Sequence, residues 1–281
     1  MERNLVRIFA LSDIHVDFGV NSAWVTGLST QDYKDDVLIL AGDVSDSLAR
    51  LERCLTEFSR RFAKVLYVPG NHDLWVSRDK DIADSMAKFD AVMALAENCG
   101  VQTRAFHAPG LSIAPLFGWY DYSFGAPTRQ LHTFWMDFQQ CRWRPGWSAA
   151  DITQAFLTMN DNPIEARDAL VISFSHFLPR IDLMPQYIPE QHKVLYPILG
   201  ASGLDAQVRA IGSRLHVYGH SHVNRRIRLD GVEYVNNAYG YPRETRITSK
   251  SLLCIGDSAL AGWGIGQAPG QAPGDMCPAS E

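Results

Sequence analysis

The sequence predicts an α/β fold built on a mixed, mainly parallel β-arrangement. Three observations carry that expectation. Short apolar runs alternate with segments whose apolar residues step by three and four, the strand–helix–strand pattern of right-handed βαβ crossovers. Asp230-Gly231 separates two later runs and is the strongest short hairpin signal in the chain, so antiparallel pairing joins the parallel. Five of the runs end on Asp, His, Asn or Gly with nothing bulky. Strand carboxyl ends line one edge of a parallel sheet, where α/β proteins place their chemistry, so these residues should converge on one crevice.

Taken in order, Leu5 to Leu11 is a strand that delivers Asp13 and His15. Val16 to Asp35 mixes Gly, Ser, Thr and Asp and reads as loop with a short helix. Val37 to Ala41 is the second strand and leads to Gly42-Asp43. Asp46 and Ser47 offer an N-cap for a helix whose Leu48, Leu51, Leu55, Phe58 and Phe62 share one face. Val65 to Val68 is a buried strand that stops at Pro69 and leaves Gly70-Asn71-His72-Asp73 at its end. Ile82, Met86, Phe89, Val92 and Ala96 mark a second amphipathic helix closed by Gly100.

Leu111 to Leu116 is a strand, and the stretch from Gly118 to Trp147 then carries aromatics at no fixed period. The plainer reading is a secondary core; the sharper one is a wall beside the crevice that touches the organic part of a substrate. Ser148 caps a helix to about Met159, and Asn162-Pro163 suits a further helical turn. Ala169 to Phe174 leads to Ser175-His176, and Phe177 to Gly200 reads as loop. Leu204, Val208 and Ile211 mark a short helix closed by Gly212. Leu215 to Tyr218 leads to Gly219-His220-Ser221-His222, and the hairpin Arg225 to Leu229 with Val232 to Val235 follows. From Asp257 the chain turns to Gly, Ala, Pro and Gln, with Gly-Gln-Ala-Pro in tandem at Gly266 and Gly270. The expectation is one domain over 1–256 and a disordered tail over 257–281.

Composition narrows the function classes. The 281 residues are 46% hydrophobic and 20% charged, the balance of an ordinary globular chain. A net charge of −5 supplies no global basic field for nucleic acid, so a phosphate must be attracted locally, as a metal centre would do. No stretch approaches the roughly 20 apolar residues of a membrane span. Met1 to Asn4 run directly into the first strand and leave no room for a signal peptide, so the expected location is cytoplasmic. Cys54, Cys99, Cys141, Cys254 and Cys277 contain no Cys-x-x-Cys pair and suggest neither a disulfide framework nor a thiolate zinc site.

Asp13, His15, Asp43, Asn71, His176, His220 and His222 offer carboxylate oxygens, an amide oxygen and imidazole nitrogens. That mixed set suits Mn first, with Fe or Zn as alternatives. It is too many ligands for one transition-metal ion and fits two divalent ions sharing one carboxylate. Two ions about 3.5–4 Å apart clamp a phosphoryl group and lower the pKa of a bridging water to make a hydroxide nucleophile. The leaving alkoxide then needs a proton, which His72 is placed to give, while Asp73 holds either its ring or its strand end. His107, His132, His192 and His216 read as ordinary hydrogen-bonded histidines, and Asp46 as a cap rather than a ligand.

Asp13-x-His15, Gly42-Asp43, Gly70-Asn71-His72-Asp73, His176 and Gly219-His220-x-His222 resemble, in order and spacing, the full motif series of the calcineurin-like metallophosphoesterase superfamily. The resemblance runs from about Val6 to Arg246. It implies that Asp13, His15 and His222 bind one ion, that Asn71, His176 and His220 bind the other, and that Asp43 bridges. It likens His72 to the family histidine that assists the leaving group. It also implies a four-layer sandwich, two facing mixed β-sheets flanked by helices.

The segment after Gly42-Asp43 lacks the Asp-Arg-Gly ending of the protein Ser/Thr phosphatases. The chain also has neither the length nor the basic charge of the recombination nucleases. The expectation is therefore a hydrolase acting on a small phosphomonoester or phosphodiester. The alternatives are a nuclease using Arg225, Arg226 and Arg228, and a non-catalytic binding scaffold on the same fold.

Overall fold

The structure, a computed structural model, describes residues 6–160 and 170–257. Strands β1 (Arg7–Leu11), β2 (Val37–Ala41), β3 (Lys64–Val68) and β10 (Leu253–Asp257) form one sheet in the order β10-β1-β2-β3. A second sheet has the order β4-β5-β6-β7-β9-β8, built from β4 (Phe106–Ala108), β5 (Leu111–Pro115), β6 (Leu170–Phe174), β7 (Leu215–Tyr218), β8 (Arg225–Leu229) and β9 (Val232–Asn236). The pairs among β1, β2 and β3 and among β5, β6, β7 and β9 are parallel; β10, β4 and β8 add antiparallel edges.

Strand alternation explains how the sheets stack. In β2, Val37, Ile39 and Ala41 point into a core shared with Ile113, Ile172 and Val217 of the other sheet. Leu38 and Leu40 point the other way, onto α2 (Leu48–Arg61) and its Leu51, Leu55 and Phe58. The outer face of the second sheet is covered by α6 (Ala149–Thr158) and α7 (Ser202–Ala210) through Phe156, Leu204 and Val208. The layers are therefore helix, sheet, sheet, helix. Because both faces of the inner strands are covered, they read as unbroken apolar runs.

The remaining helices are α1 (Gly19–Gly27), α3 (Ser85–Asn98), and the short α4 (Arg129–Phe134) and α5 (Asp137–Gln140) inside the aromatic-rich stretch. Several local expectations change. Ser47 is the N-cap residue of α2 but makes no side-chain cap bond. Asp46 does not cap either: it accepts from Arg78 Nε at 2.8 Å, and the Leu48 N–H goes to Asp79 at 3.2 Å. Helix α3 starts at an Asp84 cap, so Ile82 lies before it, and Gly100 ends it with φ +75°. Within 177–200 the chain makes two 3₁₀ turns, Ile181–Leu183 and Glu190–Ile198. Asp257 belongs to β10, paired with Arg7, rather than to a tail. The turn expected at Asn162-Pro163 and the tail beyond Asp257 lie outside the described residues.

Candidate metal centre

The two sheets face each other so that the ends of β1, β2, β3, β6 and β7 meet, and the seven candidate ligands come together there, all at most 9% exposed. Asp13, His15, Asp43, His220 and His222 have positive φ, between 42° and 67°. Such backbone is uncommon outside glycine, and the strain collects where side chains must turn sharply into one space. Glycines permit the close approach. A Cβ on Gly42 would stand 2.6 Å from His176 Nδ1, and one on Gly70 would overlap the Asp43 carboxylate.

Asp13, His15, Asp43 and His222 offer ligand atoms within 4.8 Å of one another, and so do Asp43, His176 and His220, with Asp43 common to both groups. The donor chemistry fits a cation. His176 Nδ1–H donates to Ala41 O at 2.9 Å and His220 Nε2–H to Ile198 O at 3.0 Å, which fixes both tautomers. Burial holds both rings below the usual imidazole value, His220 well below, so they are neutral. The bare His176 Nε2 then faces His220 Nδ1 at 3.2 Å, Asn71 Oδ1 at 3.1 Å and Asp43 Oδ1 at 3.4 Å. Four acceptor atoms converge here, an arrangement a positive ion satisfies.

In the other group His222 Nε2 lies 3.2 Å from both Asp13 Oδ1 and His15 Nε2, while its Nδ1–H donates to Glu244 at 2.7 Å. Burial first, then the negative charges of Asp13 and Asp73, push the Asp43 carboxyl well above its ordinary value. Positive charge among these carboxylates would relieve that cost.

His72 stands beside the donor groups. Its backbone N–H donates to Asp43 Oδ1 at 2.9 Å, its ring stacks on Trp75 at 3.8 Å, and its Nε2 lies 3.4 Å from the Tyr241 hydroxyl. Asp73, expected as a catalytic-site residue that holds either the His72 ring or its strand end, does the second. Its carboxylate accepts the N–H groups of Asp43, Val44, Ser45 and Gly70 at 2.8–2.9 Å, so it ties the end of β2 to the end of β3. It holds the strand ends, not the His72 ring.

A profile of the calcineurin-like phosphoesterases matches residues 6–224. The chain belongs to the calcineurin-like phosphoesterase family. It is 28% identical over 267 residues to the [acyl-carrier-protein] phosphodiesterase PptH of Mycobacterium tuberculosis, a match covering 85% of this chain and 79% of that one. The crystal structure of the phosphopantetheinyl hydrolase PptH from the same organism shares the fold, with a TM-score of 0.72 at 24% identity over 96% of this chain and 99% of that one. As a family member the chain is a hydrolase of phosphoric ester bonds with a divalent metal centre.

Sequence reasoning missed three residues around the phosphoesterase centre. Glu244 orients His222, and Tyr241 stacks on His15 at 4.5 Å. Asp137 is buried and accepts from Asn71 Nδ2 at 2.8 Å, Trp75 Nε1 at 2.7 Å and Trp135 Nε1 at 2.7 Å. The first of these bonds aims Asn71 Oδ1 at the donor group, and the second steadies the ring beneath His72. The aromatic stretch thus has two uses. Trp119 and Tyr120 are core, while Trp135 lies edge-on to His220 at 5.9 Å and walls a cleft.

Two clefts open at the centre and share His72 and Tyr241. The first, about 540 Å³, runs from Asp43 and Asn71 along the segment 184–199. The second, about 670 Å³, is lined by Phe18, Trp75, Arg78 and Arg243 among others. The arginines raised for nucleic acid are largely engaged in the fold: Arg226 pairs with Glu233 at 2.6 Å and Arg225 donates to Leu183 O at 2.6 Å. His216 is a buried core histidine between Ser173 and Ser175. Among the described residues no helix is long and apolar enough to cross a membrane.

Proposed function

We propose that this phosphoesterase is a phosphodiesterase with two divalent ions. Asp13, His15, Asp43 and His222 would hold one and Asp43, Asn71, His176 and His220 the other, with Mn first and Fe or Zn as alternatives. The observation that carries the reading is the convergence of four acceptor atoms, His176 Nε2, His220 Nδ1, Asn71 Oδ1 and Asp43 Oδ1. When bound, such ions supply a hydroxide nucleophile at neutral pH and neutralise charge on the phosphoryl oxygens.

The chain's own groups do the rest. Burial above all pushes the His72 ring down to about 3. A phosphoryl anion seated beside His72 reverses that effect, and the ring then offers a proton from Nε2 to the leaving ester oxygen. Tyr241, its hydroxyl 3.4 Å from that nitrogen, keeps the ring facing the phosphorus. Two clefts meeting at one phosphoryl position suit a diester better than a monoester, because each ester arm has somewhere to lie.

The substrate reading follows the relative that acts on an acyl carrier protein. We place this chain's substrate in the same class, a carrier protein joined to a phosphopantetheinyl group, rather than a wholly small ester. The test is mass spectrometry of a phosphopantetheinylated carrier protein incubated with the Mn-loaded enzyme. Loss of the whole phosphopantetheinyl group supports the reading. An unchanged carrier, with bis(nitrophenyl) phosphate still hydrolysed, would keep the phosphodiesterase and reject the substrate.

A further inference from the structure

Resting on the phosphodiesterase reading, we infer that the first cleft selects an uncharged, extended organic arm bearing isolated amide or hydroxyl groups. Its walls are Trp135, Met184, Ile188, Pro189, Leu195 and Ile247. Among the described residues no Lys or Arg lines it, and the carboxylates that do, Asp43 and Glu244, sit at the catalytic end. A second phosphate or a carboxylate laid along this cleft meets largely apolar walls and, among the described residues, neither Lys nor Arg, and an unpaired charge taken out of water is costly. A carbon chain there gains from every apolar contact.

The same cleft carries scattered polar handles. Tyr187, His192 and Tyr196 line it, and their side chains make no hydrogen bond among the described residues. Tyr187 is 76% exposed and marks the mouth, whereas Tyr196 is half-buried farther in. Groups of this kind satisfy single amides or hydroxyls along a passing chain without requiring charge on it. The second cleft is built differently, with charges of both signs, Asp17, Asp46, Arg78 and Arg243, in its lining. The two halves of a diester are therefore not interchangeable between the clefts.

The test uses nitrophenyl phosphodiesters that share a leaving group and differ in the other ester: methyl, a neutral chain with two amides, or that chain ending in a second phosphate. With Mn supplied, kcat/KM for the neutral chain exceeds that for methyl by about 10- to 100-fold, mostly through KM. The anionic chain gains nothing over methyl. Leu195→Arg, which puts a cation in the wall, reverses the order of the two long chains.

Calorimetric binding of the matching phosphate monoesters makes the same comparison without turnover. Equal preference for neutral and anionic chains in either measurement overturns the inference. Failure to hydrolyse any of the three esters counts against the phosphodiesterase reading and leaves the binding comparison to decide the cleft. Hydrolysis of all three at one rate counts against the cleft alone.

Discussion

His72 and Asp137 do different work within a few ångströms of each other, and substitution should separate them. His72 Nε2 stands 3.9 Å from Asp43 Oδ2, and His72 belongs to neither donor group. His72→Ala is expected to keep its metal content by elemental analysis yet lose about 10²–10⁴-fold on alkyl esters. Nitrophenyl esters, whose leaving group barely needs a proton, should be spared; an equal loss on both would remove the acid role. Asp137→Asn turns an acceptor-only carboxylate into an amide that confronts the Trp135 or the Asn71 N–H with a donor. Metal affinity at the Asn71–His176–His220 group should fall by about 10- to 100-fold, with the Asp13–His15–His222 group unaffected, as read by Mn titration. Unchanged affinity at both would make Asp137 merely structural. The convergence of the seven candidate ligands and His72 was legible in the sequence because each sits at a strand end inside a short motif. Asp137, Tyr241 and Glu244 were not, because they reach the centre only by contacts between residues 22 to 226 positions apart, and locally they look like ordinary loop residues.

The edge strands show what a strand pattern can and cannot announce. β10 contains Cys254, Gly256 and Asp257 among its five residues, and β4 is only three residues long, so neither has the apolar run that reveals β2 or β6. β10 nevertheless places Ile255, 2% exposed, in the core between the sheets. Ile255→Ala should cost about 2–4 kcal/mol in chemical denaturation, as for other buried aliphatic truncations. A change within error would mean that β10 is a loose edge. The hairpin signal at Asp230-Gly231 was fully legible, since φ of 48° and 87° at those residues is the backbone that the two-residue turn demands. The N-cap of α2 was misread because Asp79, brought in by the chain beyond β3, supplies the acceptor expected from a neighbouring side chain.

At the scale of the whole molecule, periodicity pointed to strands alternating with helices but not to their division into two sheets. Strands buried on both faces look alike whichever sheet they join, and only the motif resemblance implied the facing pair. The core between those sheets and their helices has its own acid sensitivity, through His216. Burial pushes this ring from 6.5 down to about 3 in the fold. Below pH 6.5 the unfolded chain binds a proton that the folded one refuses, so stability falls as pH falls towards 3, by about 1.4 kcal/mol per unit. His216→Gln should flatten that slope relative to the parent in urea unfolding at pH 6 and pH 5, whatever it does to absolute stability. Equal slopes would mean that His216 is charged in the fold or already shielded when unfolded.

The pairing of β1 with β10 also bears on synthesis. Asp13 and His15 follow strand β1, yet one side of that strand stays open until Leu253–Asp257 has been made. His220 and His222, which complete the two donor groups, are made about 200 residues after Asp13 and His15. A nascent or prematurely ended chain therefore holds an exposed parallel edge and an incomplete set of metal donors. On the two-ion proposal, metal capture would be a late event in the making of this domain and a marker that synthesis has passed β7.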